Sequence, residues 1–465
     1  MSNGAIDDFL SKHPQVSNLD PPLTELGMTR RMVTAMVGQF RYAREVRAWF
    51  VWDGSRWSED LTGKVQRVAK ETVDALHAEA RSDPDRRDQL TKAWLRFQKA
   101  STIRAIVELA TTEPDIPVLM YEFDADPWSL NCANGVVDLR TGEIRPHDPA
   151  ELHSKLVPID YDPTNKAPVW LRFLDEVFAG DRELVQFVKR FAGYSLAGDV
   201  REQLLIFAHG TGANGKSTLL GALRRLAGDY GVQLDPTILT AGQHEQHPTG
   251  LTDLRGARLV TTIETEAGKR LAEALVKMLT GGDPIRARRM RCDYFEFWPH
   301  TIWLAGNHLP AIRGTDLGIW RRIALVPFDV SFEGDRQDPD LPVKLDAEAQ
   351  GILTWAVEGC LEWQQHGLEV PERVKAATSA YRSSQDHLGR FLSECCTVAE
   401  NDFVTTRDLR SAYECWCTEQ GERPWSAQAI GRELADRAFD SGQIGQNRAR
   451  TWLGLGLRPE RGEQI

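Results

Sequence analysis

The sequence predicts an α/β protein: a parallel-sheet core between a mostly helical N-terminal region and a small C-terminal domain of helices and a basic hairpin. Three stretches carry this expectation. The apolar run Leu204-Leu205-Ile206-Phe207-Ala208 enters His209-Gly210-Thr211-Gly212-Ala213-Asn214-Gly215-Lys216-Ser217-Thr218, and Leu219-Leu220-Gly221-Ala222-Leu223 follows: buried strand, glycine-rich turn, amphipathic helix. A second β-branched strand, Arg258–Glu266, ends in acid. A third, Thr301–Gly306, delivers Asn307.

The glycine-rich stretch satisfies G-x-x-x-x-G-K-[ST], the phosphate-binding loop. Gly210, Gly212 and Gly215 are expected to take positive φ and turn successive N–H groups toward phosphate oxygens. The helix beginning near Gly215 would add its positive dipole end. Lys216 would reach the β- and γ-phosphates of ATP, and the Ser217 hydroxyl would coordinate Mg²⁺. The alternative, a glycine-rich turn that binds nothing, is disfavoured by the strand before it and the helix after it.

The totals bound the rest. At 465 residues, with 42% hydrophobic and 26% charged, the chain is an ordinary globular protein of about three domains. Its net charge of −11 means that any nucleic-acid contact must be local. The first residues lack the basic flank and apolar core of a signal peptide, and no apolar run approaches the roughly 18 residues that span a bilayer. A cytoplasmic protein without a membrane partner is therefore expected, its seven cysteines reduced. Neither Cys395-Cys396 nor Cys415-x-Cys417 has the gap of a zinc site. The latter pair falls in an expected helix, where residues two apart point to different faces.

Taken in order, residues 1–125 read as mostly helical. Arg30–Phe50, Lys64–Arg81 and Arg86–Ala110 carry apolar residues at helical spacing, and Trp52-Asp53-Gly54 signals a hairpin. Arginines 30, 31, 41, 44 and 47 suit a solvated helix face better than a DNA surface. Asp124-x-Asp126 has the D-x-D pattern with which primases and polymerases hold two metals, but nothing around it supplies a third carboxylate and a partnering histidine in a recognisable order. Residues 126–199 form a connecting segment: Val136–Glu143 is a hairpin candidate, and Trp170–Leu196 reads as two short helices.

Beyond the loop, Glu264 and Glu266 would hold magnesium-bound water and polarise the attacking water. Leu271–Leu279 is an amphipathic helix stopped by Gly281-Gly282. Arg286, Arg288, Arg289 and Arg291 then make the strongest local positive cluster, suited to phosphate backbones or to a salt-bridged surface strand. Asn307 would hold the hydrolytic water or the γ-phosphate. Arg321-Arg322, just before the strand Leu325-Val326-Pro327-Phe328, suit an arginine finger aimed at a neighbouring subunit's nucleotide.

In this order, G-x-G-x-N-G-K-S-T, Glu-Thr-Glu, Leu-Thr-Gly-Gly-Asp, Gly-Asn-His-Leu-Pro and Ile-Trp-Arg-Arg-Ile, the chain resembles a superfamily 3 helicase. It is most similar to the phage/plasmid and poxvirus-type primase–helicase family. The resemblance is strongest over 200–335 and reaches upstream through Asn131–Gly142 and Trp49–Trp57. It implies an AAA+-like core in which Gly210–Thr218 are Walker A, with Asn214 the characteristic loop asparagine. It makes Glu264 and Glu266 Walker B and Asn307 sensor 1, with Arg321 or Arg322 the finger. It assigns Lys277 and the arginine hairpin to DNA. Hexameric rings moving 3′ to 5′ on single-stranded or forked DNA are implied too, with primase or replication-origin partners. Glu264-x-Glu266 departs from a pair of adjacent acids. The chain also begins almost at the helicase-associated domain, so primer synthesis is not expected.

Residues 336–385 read as a helical segment. In 386–465, helices over Leu409–Gln420 and Ser426–Arg437 and a strand over Gln446–Leu453 suggest a winged-helix-like domain, with Arg448 and Arg450 facing DNA phosphates. A purely structural small domain is the other reading. Rivals to a helicase are an origin-binding initiator that does not unwind and a primase resting on Asp124 and Asp126.

Overall fold

Side-chain alternation along short apolar strands builds the centre of the protein. Leu205 and Phe207 enter one core while Ile206 and Ala208 enter another, and Ile302/Leu304 against Trp303/Ala305 and Ile323/Leu325 against Ala324/Val326 repeat the pattern. Strands covered on both faces read as continuous apolar runs, as here. The computed structural model describes residues 21–241, 248–264, 269–288, 294–298, 301–312, 317–444 and 449–458. Its central sheet contains β1 (Leu205–His209), β2 (Gly231–Gln233), β3 (Leu259–Glu264), β4 (Thr301–Gly306) and β5 (Ile323–Pro327). All pairings are parallel, in the order β5-β1-β4-β3-β2.

Helix α1 (Lys216–Ala227) packs on one face with helices Pro168–Val177, Arg182–Tyr194 and Ala349–His366. Helix Glu273–Leu279 and the hairpin Ile285–Arg288/Tyr294–Phe297 contribute to the core on the other face. The two short helices expected over 170–196 are thus present. So is the hairpin at Val136, whose strand pairs Asp138 with Glu143.

The N-terminal region corrects one expectation. Helix Glu25–Ala35 does not continue to Phe50. Phe40–Ala43 and Ala48–Trp52 instead form an antiparallel pair, extended by Trp57–Glu59. Gly38 turns left-handed at φ 72°, and the aromatic and β-branched run Phe40, Tyr42, Trp49, Phe50, Val51 packs better on a pleated face than on a helix. The segment Arg86–Ala110 is two helices, Arg87–Phe97 and Ala100–Ala110. Of the five arginines, Arg31 pairs with Glu79 at 2.8 Å and Arg41 lies over the Trp57 ring, while 30, 44 and 47 are exposed.

This region and the connecting segment after it are both fastened to the core. Arg258, 5% exposed, donates to the carbonyls of Leu196 and Ser129 at 2.9 Å and covers the Tyr230 ring. Arg56 pairs with Asp229, just past the end of α1.

The C-terminal unit has its own core around Phe391, Tyr413, Trp416, Leu434 and Leu455. Helix His387–Cys395 leads into strand Cys396–Thr405, then helices Thr406–Gln420 and Ala427–Asp436, then strands Ser441–Ile444 and Ala449–Leu457. The last strand lies in the middle of the sheet. Cys417 is buried and Cys415 exposed, as opposite helix faces require. No helix among the described residues is long and apolar enough to cross a membrane.

Candidate nucleotide site

Register alone assembles the site. Glu264 pairs with Gly306, Gly306 with His209, and His209 with Pro327, so β3, β4, β1 and β5 end in one row. The glycine-rich loop leaves this edge at Gly210 and returns as α1 at Lys216. Asn307, exposed, follows Gly306 on the same edge. Glu264 is placed by its backbone pairing, and Glu266 lies outside the described residues.

The loop's glycines do not all serve as expected. Gly215 takes φ 85°, but Gly210 and Gly212 are not left-handed, and the non-glycine Ala213 is, at φ 54°. Gly210 is glycine for lack of room: a Cβ there would stand 2.2 Å from the Phe328 carbonyl oxygen and 2.5 Å from Asn214 Nδ2. Nothing lies within 4 Å of a Cβ at Gly212. Gly215 is also hemmed in, its Cβ position 2.8 Å from Val177 Cγ2 and 3.2 Å from Phe173. Helix Pro168–Val177 therefore presses on the start of α1.

Lys216 folds into the loop. Its ammonium donates to Gly210 O at 2.7 Å, Thr211 O at 3.0 Å and Asn214 Oδ1 at 2.8 Å, and burial lowers its pKa. Asn214, 3% exposed, spends its amide on Phe328 O at 3.2 Å, so it braces the lysine against the chain after β5. That chain also receives the loop directly, since Phe332 N donates to Ala213 O and Phe328 N to His209 O, both at 2.7 Å. Thr211, Gly212, Ala213 and Ser217 remain exposed, and Thr218 is half-buried. An ammonium ringed by oxygens, beside an exposed serine at the first turn of a twelve-residue helix, fits an anion with its counter-cation. His209, half-buried at the end of β1, is held below the ordinary imidazole range by burial and by Lys216, against Asp329 and the Asn307 backbone.

Two groups of expected residues lie elsewhere. Arg321 and Arg322 precede β5, and Leu205 N donates to Arg322 O at 2.6 Å where β1 begins. The five residues of β1 then separate the arginines from the loop by about 16 Å along the strand. Within one chain they do not join the site. Lys277, half-buried, and Arg286, exposed, sit on helix Glu273–Leu279 and strand Ile285–Arg288. Arg288 pairs with Tyr294 through its backbone, Arg450 is exposed opposite Gln443, and Arg289, Arg291 and Arg448 lie outside the described residues.

Asp124 and Asp126 are engaged separately. Asp124 accepts from Ser154 N at 3.0 Å. Burial raises its pKa, but the bonds from His153 and Ser154 outweigh that and hold it low. Asp126 accepts from Trp128 N at 3.1 Å and Ser129 Oγ at 2.9 Å. Sequence reasoning missed His209 and the wall Phe328–Phe332. The signal was a histidine just before the first loop glycine and the Pro327-Phe328 end of a strand.

Residues 29–179 match the family described as D5 N terminal like. A protein of Acanthamoeba polyphaga mimivirus, provisionally named a helicase, is 26% identical over 308 residues, covering 61% of this chain and 32% of its own. One of Frog virus 3, also provisionally named a helicase, is 25% identical over 274 residues, covering 54% and 28%. One of African swine fever virus, provisionally named a primase, is 24% identical over 326 residues, covering 63% and 33%. The chain spans about a third of the length of these curated relatives. The A form apo structure of the NrS-1 C-terminal region shares the fold at TM-score 0.50 and 12% identity, over 91% of this chain and 97% of that one. By its matched domain and these relatives, the chain resembles the phage and poxvirus-type primase–helicases.

Proposed function

We propose that this protein is an ATP-driven DNA helicase for phage, prophage or plasmid replication, working as a homo-hexameric ring that moves 3′ to 5′ on single-stranded DNA. The observation that carries the reading is the division between the two edges of one parallel sheet. The loop of Lys216, the end of β3 at Glu264 and Asn307 share one edge, while Arg321 and Arg322 occupy the other. In this reading a second copy of the chain brings its Arg321 and Arg322 to the loop and completes the site.

In this reading Gly210–Thr218 cradle the phosphates of ATP and Lys216 exchanges its loop carbonyls for phosphate oxygens. Ser217 and Glu264 would hold Mg²⁺, which would supply charge neutralisation for the phosphates. Glu264 or Glu266 takes the proton of the attacking water, Asn307 orients that water, and the neighbour's Arg321 or Arg322 stabilises the transition state. Lys277 and the hairpin of Arg286, Arg288, Arg289 and Arg291 grip the strand. The C-terminal unit is winged-helix-like, its order of helices and strands supporting that, with Arg448 and Arg450 toward DNA phosphates.

Lys216→Ala removes the counter-charge of the phosphates and should lower ATP hydrolysis and strand displacement by roughly 10²–10³-fold. Turnover at the wild-type rate in that variant would refute the site. Tight duplex binding with no strand displacement by the wild-type protein would favour an initiator instead.

A further inference from the structure

Gln203 stands two residues before β1 in a left-handed conformation, φ 52°, that costs a non-glycine residue energy and persists only where surroundings demand it. Both halves of its amide are used. Nε2 donates to the Gly281 carbonyl at 2.9 Å. Oε1 accepts from Arg321 Nη2 at 3.4 Å and from Arg322 Nη2 at 3.5 Å. Arg322 is otherwise held by Gly318 O at 2.6 Å, and its buried Nε has no partner among the described residues. Gly281 is the joint between helix Glu273–Leu279 and strand Ile285–Arg288. A Cβ at Gly281 would meet Lys277 O at 2.7 Å, and Gly282 beside it turns at φ 88°.

We propose that Gln203 is a positioning residue that presents Arg321 and Arg322 to the neighbouring subunit's nucleotide and ties their movement to the DNA-gripping hairpin through Gly281. This rests on the proposed function above. The physical basis is a mismatch of strengths. A neutral amide oxygen shared by two guanidinium groups at 3.4–3.5 Å is a weak acceptor, whereas charge-assisted bonds to phosphate form at about 2.7–2.9 Å. A phosphate arriving from the next subunit therefore draws the arginines off Gln203. The amide keeps its shorter bond to Gly281, so the change at the arginines reaches the joint from which the hairpin springs. A carboxylate at 203 would hold both arginines as an ion pair and offer Gly281 no donor.

Two variants separate the halves. Gln203→Met removes acceptor and donor at similar volume; Gln203→Glu keeps an acceptor and loses the donor. Binding of an ATP analogue, then kcat and KM for ATP with and without single-stranded DNA, are measured on the full chain. Both variants should bind nucleotide within about twofold of wild type, because their own loop is untouched. Both should lose roughly tenfold or more in DNA-stimulated kcat. Mixing either with Lys216→Ala protein should restore activity, since the latter places intact arginines against an intact loop. Wild-type kcat in Gln203→Met, with and without DNA, overturns the proposal. So does a loss that mixing fails to restore, which would put Gln203 in the packing of its own subunit. If Gln203→Met does not fold, Gln203→Glu is decided by the same two outcomes. Wild-type hydrolysis by Lys216→Ala alone would instead remove the proposed function, a result independent of either Gln203 variant.

Discussion

Gly210 and Gly215 are both glycines of one motif, for different reasons. Gly215 supplies a left-handed turn at the helix start, whereas Gly210 has an ordinary φ and is small because Phe328 and Asn214 lie on top of it. Beside them His209 faces Lys216, Asp329 and His308, and its lowered pKa has a consequence for stability. The folded protein favours the neutral ring, so stability is full above the unfolded value of about 6.5 and falls as pH drops from there toward the lower folded value. His209→Asn should therefore lose less thermal stability than wild type between pH 7 and pH 5. Parallel melting curves for the two proteins across that range would show that the ring does not titrate as described.

At the scale of elements, strands were legible wherever apolar residues ran unbroken, as in Leu205–Ala208 and Ile302–Ala305, because burial on both faces favours apolar side chains at successive positions. The segment Arg30–Phe50 misled because its apolar spacing fits a helix as well as it fits two strands. The pairing of Phe40 with Val51 is a contact that local spacing does not report. The hairpin that begins at Ile285 was legible as a basic element, and its role is open to direct measurement. Arg288→Glu with Arg291→Glu should weaken single-strand binding and reduce the salt slope by about two, with nucleotide binding at Lys216 as the control. Unchanged affinity and slope would take this hairpin out of the DNA path.

For the whole molecule, Lys216 stands a full strand away from Arg321 and Arg322, so in the proposed ring catalysis would be a property of neighbours. Arg322→Ala protein and Lys216→Ala protein, each nearly inactive, should regain part of the ATPase when mixed, because some interfaces then pair a good loop with a good arginine. Mixtures no more active than their components would place the arginine in cis or elsewhere.

From its sequence alone the chain determined the loop, the strand that feeds it, the acid and asparagine that end its neighbours, and the basic hairpin. Each of these is written in contiguous residues whose spacing and polarity follow from local backbone geometry. Only the tertiary structure decided that Glu264, Asn307 and Lys216 meet on one edge, that the paired arginines stand on the other, and that Gln203 joins those arginines to Gly281. Strand order and register bring together residues 78 to 119 positions apart, and no local pattern encodes a contact across that distance.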